Sequence, residues 1–164
     1  MHCMIVGMTE SGKTTLAKKL AAEYKASGYG VIVYDPLSDD GWNADFQTAD
    51  ERQFLQAYFQ SKNCRVFVDE CHEVAGNHDK IIHAATTRGR HYGHRNFYIA
   101  QRPTMIAVNI RSQCKHIYTF FQSPEECKVM AREFGNQDLK QACELSEGEY
   151  LYCTPHTSQH GKVF

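Results

Sequence analysis

Between Lys80 and Pro124 the sequence holds no aspartate or glutamate. Seven bases stand in that gap: Lys80, Arg88, Arg90, Arg95, Arg102, Arg111 and Lys115. The chain's formal net charge is only −1, so composition alone gives no argument for a nucleic-acid partner. A block of one sign nevertheless creates a local positive potential even when the total cancels. No apolar run approaches the ~20 residues of a membrane span, which excludes a spanning helix. None of the seven cysteines forms a C-x-x-C pair; their odd number and wide spacing argue against a disulfide framework and for a reduced, cytosolic protein. Cys71, His72, His78 and His83 match no standard zinc-ligand spacing. Met1 is followed within a few residues by an apolar run that reads as a core strand, so no signal peptide is expected. Repeats, linkers and low-complexity segments are lacking too. The 164 residues are expected to form one domain, long enough to bury a hydrophobic core.

What is present alternates strand and helix. CMIV (3–6), VIVY (31–34), RVFV (65–68), NFYIAQ (96–101) and HIYTFF (116–121) read as buried strands. Residues 13–27 place Leu16, Leu20, Ala21 and Tyr24 on one helical face, ending at Gly28, and 51–62 do the same with Phe54, Leu55, Tyr58 and Phe59. A further helix is expected from about Lys80 to Gly89. Ser123-Pro124-Glu125-Glu126 is a helix start, with Ser as N-cap, Pro at N1 and acids in the first turn. That helix is expected to run to about Phe134, with a short one over 137–144. Residues 37–50 read as loop, and 149–153 with 162–164 as a terminal hairpin. This alternation predicts a mostly parallel sheet covered on both faces.

Three strands end in polar chemistry. After the first comes Gly7-Met8-Thr9-Glu10-Ser11-Gly12-Lys13-Thr14, which satisfies G-x-x-x-x-G-K-[ST] at every fixed position. Glycines let successive N–H groups converge on one point, at which the next helix directs its positive dipole end; phosphate fits there. Lys13 can reach the β- and γ-phosphates of a nucleotide, Thr14 can ligate Mg²⁺, and Thr15 can hydrogen-bond the α-phosphate. RVFVDE supplies Asp69 as a Mg²⁺ holder and Glu70 as a base for an attacking water. The third strand ends in Gln101, an amide able to contact the γ-phosphate or that water. In open α/β sheets the ligand crevice lies at the C-terminal strand ends, where Gly7, Asp69 and Gln101 all fall.

GMTESGKTT, then VFVDE, then RGRHYG before a strand ending IAQRP, resembles the HerA–FtsK superfamily of P-loop motor ATPases over residues 3–103. Within it the sequence looks most like the compact genome-packaging ATPases of viruses. The resemblance implies a three-layer α/β/α P-loop NTPase fold with a RecA-like (ASCE) core, with which a C-terminal β-hairpin is compatible. It implies a hexameric ring that hydrolyses ATP with Mg²⁺ and drives double-stranded DNA through its channel. By the same resemblance Lys13, Thr14, Asp69, Glu70 and Gln101 take the roles given above, and Arg88 or Arg90 would enter the neighbouring subunit's site. Capsid or membrane-vertex proteins would be docking partners, and the place of action the host cytoplasm or a packaging vertex of the virion. Two rivals are weighed against it. Phage assembly ATPases of the zonula occludens toxin type share the HYG…Q layout but usually carry a membrane span. P-loop nucleoside kinases of the thymidine kinase type share the Asp-Glu strand end but bring a cysteine-ligated zinc ribbon.

Overall fold

The computed structural model describes residues 1–70 and 78–164. Among the described residues eight strands form one sheet: β1 (His2–Val6), β2 (Val31–Tyr34), β3 (Phe46–Thr48), β4 (Arg65–Val68), β5 (Arg95–Ala100), β6 (Cys114–Thr119), β7 (Glu149–Cys153) and β8 (Ser158–Lys162). Their order is β3-β2-β4-β5-β1-β6-β7-β8, parallel from β3 to β6 and antiparallel in the last two pairings. Helices α1 (Lys13–Ala26), α2 (Glu51–Gln60), α3 (His78–Gly89), α4 (Val108–Arg111) and α5 (Pro124–Phe134) complete the fold with short 3₁₀ turns. Two apolar clusters fill the sheet's two faces. Leu16, Ala17 and Ala21 of α1 pack with Cys3, Ile5, Phe67, Phe97 and Trp42. On the other face Phe54, Tyr58, Ala85, Met130 and Ala131 meet Met4, Val66, Val68 and Tyr98. Alternate residues of each strand thus enter opposite cores, which is why these strands read as unbroken apolar runs. The expected three-layer α/β/α architecture and terminal hairpin are both present.

Some local expectations differ. Residues 37–50, expected as loop, contain β3, a three-residue edge strand whose half-exposed Phe-Gln-Thr is too short to show a period. The last strand is Ser158–Lys162 rather than 162–164. It lies at the sheet edge, where a polar, lysine-ended strand discourages pairing with another chain, so it carries no apolar signal. Residues Gln137–Glu144 form a 3₁₀ rather than an α-helix.

The N-terminal edge of the sheet is braced by two buried histidines. His2 Nδ1 accepts from Asn96 N at 3.1 Å, and its Nε2 lies 3.3 Å from the Thr86 carbonyl. His94 Nδ1 accepts from Cys64 N at 3.1 Å, and its Nε2 lies 2.8 Å from the Tyr58 carbonyl. Each ring therefore fits as the neutral Nε2–H tautomer, accepting on one side and donating on the other. Burial is the main cause that lowers both pKa values, that of His2 to about 4.

Because both folded-state values lie below the usual ~6.5, the unfolded chain binds more protons between that value and about pH 4. Stability is thus fully present above pH ~6.5 and lost as pH falls, His2 contributing roughly 3 kcal/mol over the window down to about 4. Asp69, pushed up to about 6, acts in the opposite sense below that pH. Urea unfolding at pH 7.5 and 5 is expected to show lower stability at pH 5, with a steeper loss in Asp69→Asn; equal midpoints would contradict the brace.

Candidate nucleotide-binding and hydrolysis site

The candidate phosphate loop begins where β1 stops. Gly7 N donates to the Ala100 carbonyl at 3.3 Å, and Phe120 N donates to the Val6 carbonyl at 2.8 Å. Ser11 N closes the turn onto the Met8 carbonyl at 3.2 Å. Glu10 and Gly12 both take left-handed φ values, 63° and 104°. At Gly12 a side chain would be strained and would also stand 3.2 Å from the Phe120 ring. Gly12 gives α1 no side-chain cap, so the amides of its first turn are left for an anion. Met8, Thr9, Glu10 and Thr15 are exposed, and Thr14 is half-buried. Lys13 is buried and folded back, its Nζ donating to the Met8 carbonyl at 2.8 Å. Desolvation lowers its pKa, opposed by the charges of Glu70 and Asp69.

Asp69 follows β4, held by its N–H donating to the Tyr34 carbonyl at 2.9 Å. Burial pushes its carboxyl up to about 6, with the charges of Glu70 and Asp35 adding to the rise. The Glu70 N–H, donating to Asp69 Oδ1 at 2.8 Å, and the Lys13 ammonium pull the other way. Glu70 is half-exposed and left-handed at φ 49°. Such a conformation costs on the order of 1 kcal/mol and tends to cluster at functional sites. Gln101, half-exposed, follows β5, and its carbonyl accepts from Gln122 Nε2 at 2.9 Å. Because β5 lies between β4 and β1, Gln101 stands between the acids and the phosphate loop.

Sequence reasoning missed three neighbours. Asp35, fully buried at the end of β2, accepts from Leu37 N (2.9 Å), Asp39 N (2.7 Å) and Trp42 Nε1 (3.2 Å), organising the loop beside Asp69. Its signal, an acid closing an apolar strand, was the same one that marks Asp69. Phe120 and Gln122, by contrast, looked like an ordinary strand end.

The cationic stretch is sorted by burial. Arg88 and Arg90, at the end of α3 and in the following turn, are exposed, as is His91. His94 is one of the buried braces and no surface group. Arg95 is half-buried, its guanidinium 5.3 Å from the Phe97 ring centre. Arg111 is consumed internally: Nε and Nη2 donate to the two Glu133 carboxylate oxygens, each at 2.8 Å. Arg102 and Lys115 are exposed. Of the candidate zinc ligands, Cys71 and His72 lie outside the described residues. Among the described residues no group of three or more His, Cys, Asp or Glu could hold a metal ion.

The residues present fit a nucleoside triphosphate with Mg²⁺. Ser11 Oγ is buried without a hydrogen-bond partner among the described residues, an orphan that a phosphate oxygen would satisfy. Mg²⁺ takes oxygen ligands and typically needs only one or two from protein beside phosphates and water. Thr14 Oγ1 and the Asp69 carboxylate are of that kind.

The profile of the family described as AAA domain matches residues 2–99. The chain belongs to this family. Among solved structures it is similar to the genome packaging NTPase of Sulfolobus turreted icosahedral virus 2 in complex with AMPPCP. That likeness has a TM-score of 0.78 at 17% identity, covering 98% of this chain and 96% of the other. VirB4 of Thermoanaerobacter pseudethanolicus is similar at TM-score 0.72 and 10% identity, covering 99% and 89%. The pCW3 conjugation coupling protein TcpA, with ATPγS, gives 0.65 at 14% identity, covering 98% of this chain and 59% of its own. No curated protein matches in sequence. The likeness to packaging ATPases anticipated from the motifs is borne out in fold, and the α/β P-loop NTPase architecture with it. No described helix is long and apolar enough to cross a membrane.

The Asp35 charge raises the Asp69 pKa, so Asp35→Asn is expected to lower the Asp69 titration midpoint from about 6 toward the usual carboxylate range. Carboxyl-carbon NMR of labelled protein would read it, and an unmoved midpoint would contradict the coupling.

Proposed function

We propose that residues 1–164 act as one motor domain that hydrolyses ATP and moves double-stranded DNA, as in viral genome packaging. The observation that carries this reading is the convergence at one edge of the sheet. The phosphate loop, Asp69 with Glu70, and Gln101 occupy the C-terminal ends of three neighbouring parallel strands. Loop amides and Lys13 hold the β- and γ-phosphates. Thr14 and Asp69 would hold Mg²⁺, which when bound would neutralise phosphate charge. Glu70 takes a proton from water as its oxygen bonds the γ-phosphorus. The bond from that phosphorus to the bridging oxygen breaks, and ADP leaves with the electron pair. Gln101 orients the water or the γ-phosphate.

Arg88 and Arg90 precede β5, whereas Gln101 follows it. The six residues of β5 span about 17–20 Å at roughly 3.3 Å each. Neither arginine reaches its own chain's phosphate loop across that length. An arginine at this position serves catalysis by meeting the nucleotide of an adjoining copy, where it stabilises charge in the transition state. A closed ring, hexameric by analogy with the superfamily, presents one such contact per interface. Exposed Arg102, beyond the C-terminal end of β5, and Lys115, at the start of β6, are cations of the kind that meet DNA phosphates without sequence preference. The likeness to a viral genome packaging NTPase supports the same assignment, for which capsid or membrane-vertex proteins would be docking partners and the host cytoplasm or a virion vertex the place of action.

Lys13→Ala and Glu70→Gln are each expected to lower ATP turnover by about 10² or more. Near-normal rates in either would sink the site assignment. Double-stranded DNA should raise the wild-type rate, with the stimulation falling as salt rises; a rate indifferent to DNA would remove the motor reading. Inactive Arg88→Ala/Arg90→Ala chains mixed with inactive Glu70→Gln chains should recover hydrolysis, because mixed rings contain complete interfaces. No recovery at any ratio would exclude the arginines from action across the interface.

A further inference from the structure

Buried polar groups that the nucleotide chemistry leaves unused form one connected cluster at the other end of β5. Asn96 and Tyr98 stand two residues apart on the face that packs against α2 and α3. Asn96 Nδ2 donates to the Tyr98 hydroxyl at 2.9 Å, and that hydroxyl is hydrogen-bonded to Thr86 Oγ1 of α3. The Tyr58 hydroxyl of α2 lies 2.7 Å from the Ala85 carbonyl and 3.0 Å from Asn96 Oδ1, one proton serving both acceptors. Tyr58, Thr86, Asn96 and Tyr98 are all fully buried. Gly89 completes the contact. Its φ of −60° is ordinary, so glycine is needed there for space: a side-chain carbon would overlap the Tyr58 hydroxyl. With His94 N donating to the Gly89 carbonyl at 3.2 Å, the backbone of 85–90 is held from inside at Ala85, Thr86 and Gly89. Between and beside these anchors, Arg88 and Arg90 point to solvent.

A buried polar cluster is a costly way to fill a core that apolar side chains could fill. It gives what they do not, directional bonds that fix one placement of one backbone. We propose that Tyr58, Asn96, Tyr98 and Thr86 are positioning residues that set the arginine-bearing turn for the neighbouring subunit's nucleotide and tie it to the strand that ends in Gln101. This rests on the reading that the arginines act across the interface. A long side chain reaching into another subunit loses less on binding when its backbone is already fixed, and small misplacements at a transition state cost about 10²-fold.

Tyr58→Phe keeps the ring in its core and removes only the hydroxyl. Alone, this variant is expected to lose about tenfold or more in kcat, while a fluorescent ATP analogue binds within about twofold of wild type, since the phosphate loop is untouched. Complementation then separates positioning from general damage. Mixed with Glu70→Gln chains, Tyr58→Phe should regain hydrolysis, because its intact site meets a well-placed arginine from the partner. Mixed with Arg88→Ala/Arg90→Ala chains it should regain none, because neither chain supplies a placed arginine. Gly89→Ala, which crowds the same hydroxyl from α3, should behave alike and stands in if Tyr58→Phe does not fold. Wild-type kcat in both variants, or failure of both to be rescued by Glu70→Gln, would overturn the positioning role. The arginine reading is scored separately. If Arg88→Ala/Arg90→Ala and Glu70→Gln chains complement each other while the Tyr58 and Gly89 variants do not follow this pattern, only the positioning role falls. If that reference mixture also fails, both fall.

Discussion

Two backbone hydrogen bonds, from Gly7 N to the Ala100 carbonyl and from Phe120 N to the Val6 carbonyl, clamp the C-terminal end of β1 between β5 and β6. The geometry of the phosphate loop follows from that clamp. A loop that wraps phosphate with its backbone needs a rigid start and a rigid finish, and α1, packed on the sheet through Leu16, Ala17 and Ala21, supplies the second. Between those fixed ends the chain adopts left-handed turns at Glu10 and Gly12 that it would not hold by itself. The same sheet register brings Asp69 and Gln101 beside the loop, since β4, β5 and β1 advance in parallel step. Chemistry gathers at one edge because the faces are sealed by two apolar clusters, leaving strand ends as the places where polar side chains meet solvent and ligand.

The opposite edge is built on different physics. There His2 and His94 each bridge a backbone donor and a backbone acceptor, and the Tyr58–Asn96–Tyr98–Thr86 cluster joins α2, α3 and β5. Hydrogen bonds in this dry environment are strong when complete and expensive when broken. The arrangement is stiff near neutral pH and exposed to acid, because protonating either imidazole adds a proton where a backbone N–H already points.

Much of the candidate nucleotide edge is legible in the sequence, for a physical reason. A phosphate loop is local: eight consecutive residues contain the turn, the anion-binding amides, the lysine and the hydroxyl. An acid or amide closing an apolar strand is nearly as local, which is how Asp69, Glu70 and Gln101 were singled out. Asp35 carried the same sign and was passed over. The brace was not legible. His2 and Asn96 are 94 residues apart, and nothing near either announces the bond. Tyr58 lay on the apolar stripe of α2 and read as core, correct for its ring but silent about its hydroxyl. His94, next to Arg95 in a stretch rich in bases, gives no sign in the sequence of being a buried hydrogen-bonding strut. The edge strands β3 and β8 escaped because an edge needs no apolar period.

The two edges are joined by β5 itself. Its Asn96 and Tyr98 are locked to the arginine-bearing turn, and three residues after Tyr98 the same strand delivers Gln101 to the nucleotide edge. A strand paired to β4 over Arg95–Tyr98 and to β1 over Phe97–Ala100 does not slip a register without turning its alternating side chains into the wrong core. A displacement at one end is therefore transmitted as a movement of the whole strand or resisted altogether. In an assembly where each copy gives its arginines to a neighbour, such a strut makes the nucleotide held by one subunit and the arginine offered to the next parts of one mechanical element. Coupling then needs no flexible pathway through the domain, only a rigid strand with chemistry at both ends.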